Sequence, residues 1–139
     1  MNVQPHQRFS TEYSLTPTIV SLQAKAVGDN NPLHHDAEFA AKTRYGRLIA
    51  SGTHTTALLL GLTASHFSKG MSMIGLDFWV GFRRPIYADE TILLEWLVIK
   101  VIPKKKLGGN IVELRGRIVG QDGITSLGAK GRVLITKHL

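Results

Sequence analysis

The segment THTTALLLGLTASHF, residues 53–67, carries the strongest structural signal in the chain. Its apolar side chains are spread over most of a helical circumference, at Ala57, Leu58, Leu60, Leu62 and Ala64. A helix that is apolar on most sides belongs in a protein interior rather than on its surface. The segment therefore predicts a buried helix, and the rest of the chain must supply a layer that encloses it.

The sequence after this helix changes to the period of β-strands. Four segments are rich in isoleucine, valine, leucine and aromatic residues and are separated by turn signals: residues 73–82, 91–102, 110–120 and 124–137. The alternation is clearest in the third segment, where the apolar side chains that share one face are Val112, Leu114 and Ile118. Four consecutive segments of this kind predict an antiparallel sheet.

A first helix is predicted from its end signals. Thr16 and Pro17 have the residue types of an N-cap and a first helical position, and Gly28 is a natural end for the helix. Its apolar face is predicted from residues that recur at helical spacing, namely Ile19, Leu22 and Ala26.

Helices in the first half and strands in the second predict an α+β fold. A curved antiparallel sheet wrapped around the long central helix satisfies both halves, with an early strand near residues 8–15 and a short helix that Asp36 caps and that continues to about Tyr45. With neither repeat nor linker, residues 1–139 are interpreted as a single domain. Because a second copy would cover the edges of such a sheet, we expect a homodimer or a dimer of dimers.

The composition excludes several classes of protein. The chain has no cysteine, and therefore no disulfide, no thiolate nucleophile and no cysteine-ligated zinc. We see no secretory signal and no apolar run long enough to cross a bilayer, so we expect a cytoplasmic protein with no membrane partner. The net charge is +7, but no nucleic-acid motif accompanies it, and we expect no nucleic-acid partner. The basic groups are either solvated surface or a landing surface for a phosphorylated ligand.

The loop after the first predicted helix concentrates reactive side chains. It reads GDNNPLH, residues 28–34, and Pro32 stiffens it. If the loop doubles back, the Asp29 carboxylate and the His34 imidazole converge, and such a pair can transfer protons near neutral pH. Three interpretations stay open from the residues alone: a proton-transfer pair, a turn capped by Asp29 and Asn31, or a metal site, which the ligand spacing disfavours.

Other side chains are given structural roles. His35 is expected to face solvent, and His54 to pack within the central helix. Trp79 and Trp96 are expected to pack on the sheet. None of these four residues is assigned chemistry.

The loop resembles the G-D-x-N-P-L-H signature of the MaoC-like, or hydratase 2, family of (R)-specific enoyl-CoA hydratases and dehydratases. The similarity continues in chain order, through Asp36 to Ala40 for D-x-x-x-A, then Ile49-Ala50-Ser51-Gly52 at the mouth of the central helix, then Phe82, Pro85 and Ala88-Asp89. It covers roughly residues 16–100. Ser51 departs from the histidine of many hydratases, and Ala88 from the usual glycine.

The resemblance implies a hotdog fold and the syn addition of water to a trans-2-enoyl thioester, or the reverse dehydration of a (3R)-3-hydroxyacyl thioester. It implies that Asp29 and His34 activate the water and return a proton to the α-carbon, while Asn31 fixes the loop or orients the pair. Gly52 would bind the thioester carbonyl through its backbone N–H, since a helix N-terminus favours the negative charge that develops there. No metal and no cofactor is implied.

Three further residues are candidates for substrate binding. Ser51 either orients the substrate or caps the helix. Arg83 and Arg84, just before Pro85, are the best candidates for contacts to the phosphates of CoA. The positive charge suits an acyl-CoA and an acidic acyl-carrier-protein thioester equally.

Two other functions compete with hydration. A hotdog thioesterase would hydrolyse the same kind of thioester, although it would not require the Asp-x-Asn-Pro-Leu-His loop. A non-catalytic acyl-thioester-binding subunit would need a partner that carries the reactive residues. The presence of that loop in this chain favours an enzyme over a binding subunit.

Overall fold

The computed structural model describes residues 2–139 of the chain. Five antiparallel strands form one sheet in the order β1-β3-β4-β5-β2. Their bounds are β1 Arg8–Ser14, β2 Ser72–Phe82, β3 Thr91–Lys104, β4 Gly109–Val119 and β5 Thr125–Thr136. The helices are α1 Pro17–Ala26, α2 Ala37–Ala41 and α3 Gly52–Phe67. The predicted α+β fold, with an early strand, is confirmed.

The central helix α3 packs on the sheet along one stripe rather than on all sides. The fully buried residues of this stripe follow each other every fourth position: Thr55, Leu59, Thr63 and Phe67. Ala57, Gly61 and Ala64 are exposed on the other side. The prediction of a helix enclosed all round is therefore wrong for a single chain, because the sheet covers only one side of it.

Trp96 of β3 links the sheet to α3 by packing and by a hydrogen bond. Its ring is completely buried, and its indole N–H donates a hydrogen bond of 2.8 Å to the Leu59 carbonyl. Gly116, its register partner on β4, leaves space for the ring, since a Cβ there would lie 2.6 Å from it. The predicted inward face of β4 is confirmed, as Val112 and Leu114 are buried with the rest of the core.

Helix α1 begins as predicted but buries a different face. The Thr16 hydroxyl accepts a hydrogen bond from the Ile19 N–H, and Gly28 adopts a left-handed φ of 77° just after the helix. Val20 and Ala24 are the buried residues, whereas Ile19 and Leu22 are exposed. The predicted apolar face is therefore wrong, because the chain offers two apolar stripes and the one with smaller residues packs inward.

Helix α2 is shorter than predicted. Asp36 caps it as expected, since its carboxylate accepts a 3.0 Å hydrogen bond from the Phe39 N–H. The helix ends at Ala41 rather than near Tyr45. The Thr43 hydroxyl bonds back to the Ala40 carbonyl at 2.7 Å, and this bond closes the chain into a turn.

The two edge strands differ in their exposed residues. β1 has seven residues and a mostly polar exposed side, whereas β2 has eleven and exposes large apolar side chains, namely Ile74, Leu76, Trp79 and Phe82. Trp79 lies on the outer side of the sheet, where its ring packs against Gly81 as predicted but stays 59% exposed. Within residues 2–139, the helices are too short or too polar to cross a membrane.

Candidate active site

The loop between α1 and α2 is held in one shape by its own polar groups. The Asp29 N–H donates to the Ala24 carbonyl at 2.8 Å, and the Asp29 carboxylate accepts from the Asn31 N–H at 3.0 Å. Asn31 in turn caps a short 3₁₀ turn, Pro32–His34, by accepting from the Leu33 N–H at 3.1 Å. The loop therefore doubles back, as its sequence predicted.

The fold brings Asp29 and His34 into contact. His34 Nε2 lies 3.3 Å from the second carboxylate oxygen of Asp29, and the imidazole is only 6% exposed. The other ring nitrogen, Nδ1, lies 2.8 Å from the Ile49 carbonyl. A carbonyl can only accept a hydrogen bond, so Nδ1 carries a proton. Nδ1 is thus engaged with the main chain, and Nε2 is the ring nitrogen that faces the Asp29 carboxylate.

The N-terminus of α3 begins at Gly52, with Ser51 as its N-cap. The Ser51 hydroxyl accepts a 3.2 Å hydrogen bond from the His54 N–H and donates to the Gln23 side chain at 3.1 Å. Ser51 is 1% exposed, so its side chain caps the helix and does not face the cleft. The first N–H groups of a helix have no acceptor within the helix, which leaves the Gly52 N–H available to a ligand.

A cleft of about 430 Å³ is lined both by His34 of the loop and by Gly52 at the N-terminus of α3. Among its walls are five residues of interest: His34, Tyr45, Gly52, Arg83 and Arg84. Asp29 and Asn31 are not among the residues that line the cleft, and Asp29 meets the lining residue His34 through its carboxylate. The structure thus places His34 and Gly52, which lie eighteen positions apart in the chain, on one cavity.

Phe82 covers the start of the helix. A Cβ added at Gly52 would lie 2.7 Å from the Phe82 ring, yet the ring is 63% exposed. Glycine at this position therefore lets an aromatic ring, or a substrate, approach the backbone closely. The sequence analysis named Phe82 only as part of a motif. Its contact with Gly52 could not be predicted, because the fold brings the two residues together.

The two candidate arginines differ in their surroundings. Arg84 makes an ion pair of 2.9 Å with Asp122, and both side chains are largely exposed. The guanidinium of Arg83 lies against Gly128, where a Cβ would be 2.9 Å away. Because Arg84 already has a carboxylate partner, Arg83 is the stronger candidate for a phosphate contact.

His35, next to His34, was predicted to face solvent, and this prediction is wrong. It is half-buried and bridges two elements, with Nδ1 2.7 Å from the Ser21 hydroxyl and Nε2 2.8 Å from the Asp29 carbonyl. His54 is buried, and the loss of hydration lowers its pKa. Among residues 2–139, no three histidine, cysteine or acidic side chains cluster closely enough to hold a metal ion.

Comparison with solved structures identifies the fold. R-hydratase PhaJ1 from Pseudomonas aeruginosa, in its unliganded form, superposes with a TM-score of 0.87 at 26% identity, over 97% of this chain and 83% of that one. The (R)-hydratase from A. caviae involved in PHA biosynthesis gives 0.84 at 26% identity, over 94% and 96% of the two chains. The protein is therefore a hotdog-fold protein: an antiparallel sheet around a central helix.

The sequence assigns the family within that fold. The profile described as "MaoC like domain" matches residues 2–135, and the chain belongs to this family of dehydratases and hydratases. A 3-hydroxybutyryl-CoA dehydratase of Methylorubrum extorquens is 28% identical over 83 residues. That alignment covers 60% of this chain and only 52% of the relative, so this chain matches about half of the relative's length.

Proposed function

We propose that the protein adds water to a trans-2-enoyl thioester to give the (3R)-3-hydroxyacyl thioester, or catalyses the reverse dehydration. The observation that carries the proposal is the position of His34, held against Asp29, in the same cleft as the N-terminus of α3. Hydration needs a group that moves a proton and a group that stabilises an enolate oxygen. We assign the proton transfer to His34 with Asp29, and the stabilisation of the enolate oxygen to the N-terminus of α3.

The proton-transfer step follows from the tautomer of His34. With Nδ1 donating to the Ile49 carbonyl, Nε2 and the Asp29 carboxylate together bind and polarise one water molecule. The water oxygen bonds to the β-carbon as one of its O–H bonds breaks, the pair takes up that proton, and the electrons of the double bond move to the thioester oxygen as an enolate. The pair then gives the same proton to the α-carbon as the enolate collapses, and the second O–H bond of the water remains in the alcohol. Because the same pair of groups directs the hydroxyl and the proton from one side of the substrate, both atoms reach the same face of the double bond, and the addition is syn.

The negative charge that forms on the thioester oxygen is assigned to the Gly52 N–H. A fixed N–H at the start of a sixteen-residue helix stabilises such charge without reorganising. Asn31 orients the loop, as its capping bond indicates, and Ser51 holds the helix start in place. Arg83, with Arg84 as second candidate, is assigned to phosphates of the carrier.

The carrier is CoA or acyl carrier protein, and the protein works as a homodimer or a dimer of dimers. The support for self-association is the apolar exposed residues of the β2 edge. An open edge of this kind is a ready site for strand pairing. The cytoplasmic location and the single-domain organisation stay predictions from the sequence.

The direct test of the reaction is incubation with crotonyl-CoA. We expect the enoyl-thioester absorbance to fall and chiral analysis to show the (3R)-alcohol. Release of free CoA without hydration, measured with a thiol reagent, would assign the protein to the thioesterases instead. If crotonyl-CoA and longer enoyl-CoA and carrier-bound substrates all stay unchanged, the protein is a binding subunit and the proposal is wrong.

A further inference from the structure

His35 occupies a position that the proposed reaction does not explain. Its Nδ1 lies 2.7 Å from the Ser21 hydroxyl of α1, and its Nε2 lies 2.8 Å from the backbone carbonyl of Asp29. The residue stands next to His34, but its ring turns away, with the two ring planes 76° apart. The two adjacent histidines therefore tie the loop to different parts of the fold.

The partners of His35 determine its tautomer. The Asp29 carbonyl can only accept, so Nε2 carries the proton and donates it. A neutral ring then has its lone pair on Nδ1, which accepts from the Ser21 hydroxyl. His34 has the opposite arrangement, with its proton on Nδ1. The contacts thus place a proton on Nε2 of His35 and on Nδ1 of His34.

We propose that His35 is a positioning residue that holds the main chain of Asp29 for the reaction proposed above, on which this inference rests. The Asp29 N–H already bonds to the Ala24 carbonyl of α1, and His35 ties the Asp29 carbonyl to Ser21 of the same helix. Both peptide groups of Asp29 are thereby anchored to α1. Only the carboxylate is left to face Asn31 and His34.

This anchoring affects turnover because proton transfer depends on position. A displacement of about 1 Å at a reacting group can cost about 100-fold in rate. Without His35, the Asp29 carbonyl loses its donor and the loop is fixed by the Asn31 and Ala24 bonds alone. The expected loss is in kcat, since His35 is not among the residues that line the cleft and both of its ring nitrogens are bonded to protein groups.

Two substitutions show whether the hydrogen bond to the Asp29 carbonyl matters or the imidazole ring itself. In His35→Gln the side-chain amide reaches the place of Nε2 and can still donate to the Asp29 carbonyl. In His35→Asn the shorter amide reaches only the place of Nδ1, beside Ser21. We expect His35→Asn to lower kcat about 10- to 100-fold with KM changed less than about twofold, and His35→Gln to retain most of the activity.

Two further variants test the Ser21 contact and serve as a control for the chemical change. Ser21→Ala removes the second anchor from a helix outside the cleft, and we expect a smaller loss in kcat with no change in KM. His138→Asn makes the same chemical change at an exposed position near the C-terminus and should behave as wild type. Equal turnover of the His35→Asn and His35→Gln variants would overturn the proposal.

A measurement without substrate separates this proposal from the proposed function. Nitrogen-15 spectra of the histidine rings should show His34 protonated at Nδ1 and His35 at Nε2, and the His34 signals should shift in His35→Asn but not in His138→Asn. A His35 ring with its proton on Nδ1, or His34 signals unchanged in His35→Asn, would overturn the positioning role. Lack of hydration by the wild type, with these spectra as expected, would instead refute the reaction.

Discussion

At the scale of single residues, most polar groups of the candidate pair are engaged in bonds that fix its orientation. Asp29 uses its N–H, its carbonyl and one carboxylate oxygen for structure, and only the other oxygen meets His34. The motif made Asp29 and His34 predictable, because their chemistry is in the local sequence. The partners Ile49 and Ser21 were not, since each is more than ten positions away and only the folded chain brings it close.

Gly52 offers a test of the helix N-terminus. We expect Gly52→Ala to lower kcat about 100-fold, because a methyl group would collide with the Phe82 ring and crowd the N–H assigned to the substrate oxygen. Gly61→Ala, on the exposed side of the same helix, has nothing within 4 Å of the added Cβ. It should keep full activity and raise the free energy of unfolding by about 0.5–1 kcal/mol. Equal activity of the two variants would argue against the assignment.

His54 predicts how stability depends on pH. Burial lowers its pKa below the ordinary value of 6.5, so the native state holds fewer protons than the unfolded chain as the pH falls below 6.5. Stability is therefore highest above that value and falls with acidification, by at most about 1.4 kcal/mol per pH unit for one group. His66, whose pKa is lowered by burial and by Lys69, acts in the same direction.

Replacing His54 measures its contribution to the pH dependence of stability. Urea unfolding at a series of pH values from 7.5 to about 5 should show a shallower decline for His54→Leu than for the wild type. His138→Leu, at an exposed site, should follow the wild-type curve. An identical pH dependence of all three proteins would contradict the buried, neutral state of His54.

At the scale of elements, the strands were predictable almost to their ends because turn signals separate segments rich in β-branched and aromatic residues. Helices were less so. Helix α1 carries apolar residues on two sides, and the sequence gives no reason to prefer Val20 over Ile19 until the sheet is in place. Helix α3 was predicted from its composition, but its exposed side became visible only in three dimensions.

The two tryptophans test how α3 is attached to the sheet. Trp96→Phe removes the bond to the Leu59 carbonyl and leaves a gap beside Gly116, so we expect it to cost about 1.5–3 kcal/mol in unfolding free energy. Trp79→Phe changes an exposed side chain and should stay within about 0.5 kcal/mol of wild type. Denaturant titration of both variants measures the difference. Similar costs for the two would contradict the fastening role of Trp96.

At the scale of the whole molecule, the sheet ends in two edges of unequal character. β1 presents a short, largely polar edge, and β2 a longer one with exposed apolar side chains. A single chain also leaves one side of α3 uncovered. The sequence predicted that edges would exist and that a second copy would cover them, but which edge is apolar follows from the strand order.

Sedimentation measures this association. We expect the wild type to sediment as a dimer or larger at micromolar concentration. Leu76→Lys on β2 should shift it to monomer, because a lysine would be buried in the contact. Ser10→Lys on β1 places the same charge on the opposite edge and should leave the association unchanged. A monomeric wild type, or dissociation by Ser10→Lys alone, would contradict pairing through β2.

Asp29 and His34 form the proposed reactive pair, and the rate of enoyl-CoA hydration by Asp29→Asn beside Asp36→Asn tests that assignment. Both variants replace one carboxylate by an amide in the same part of the chain. Asparagine caps a helix as well as aspartate does, so Asp36→Asn should keep both the cap of α2 and the activity.

Asp29→Asn should lose about 1,000-fold in kcat while its thermal midpoint stays close to that of wild type, since the amide oxygen can still accept from the Asn31 N–H. If Asp29→Asn hydrated its substrate as fast as Asp36→Asn, the assignment of the active site to this loop would be wrong.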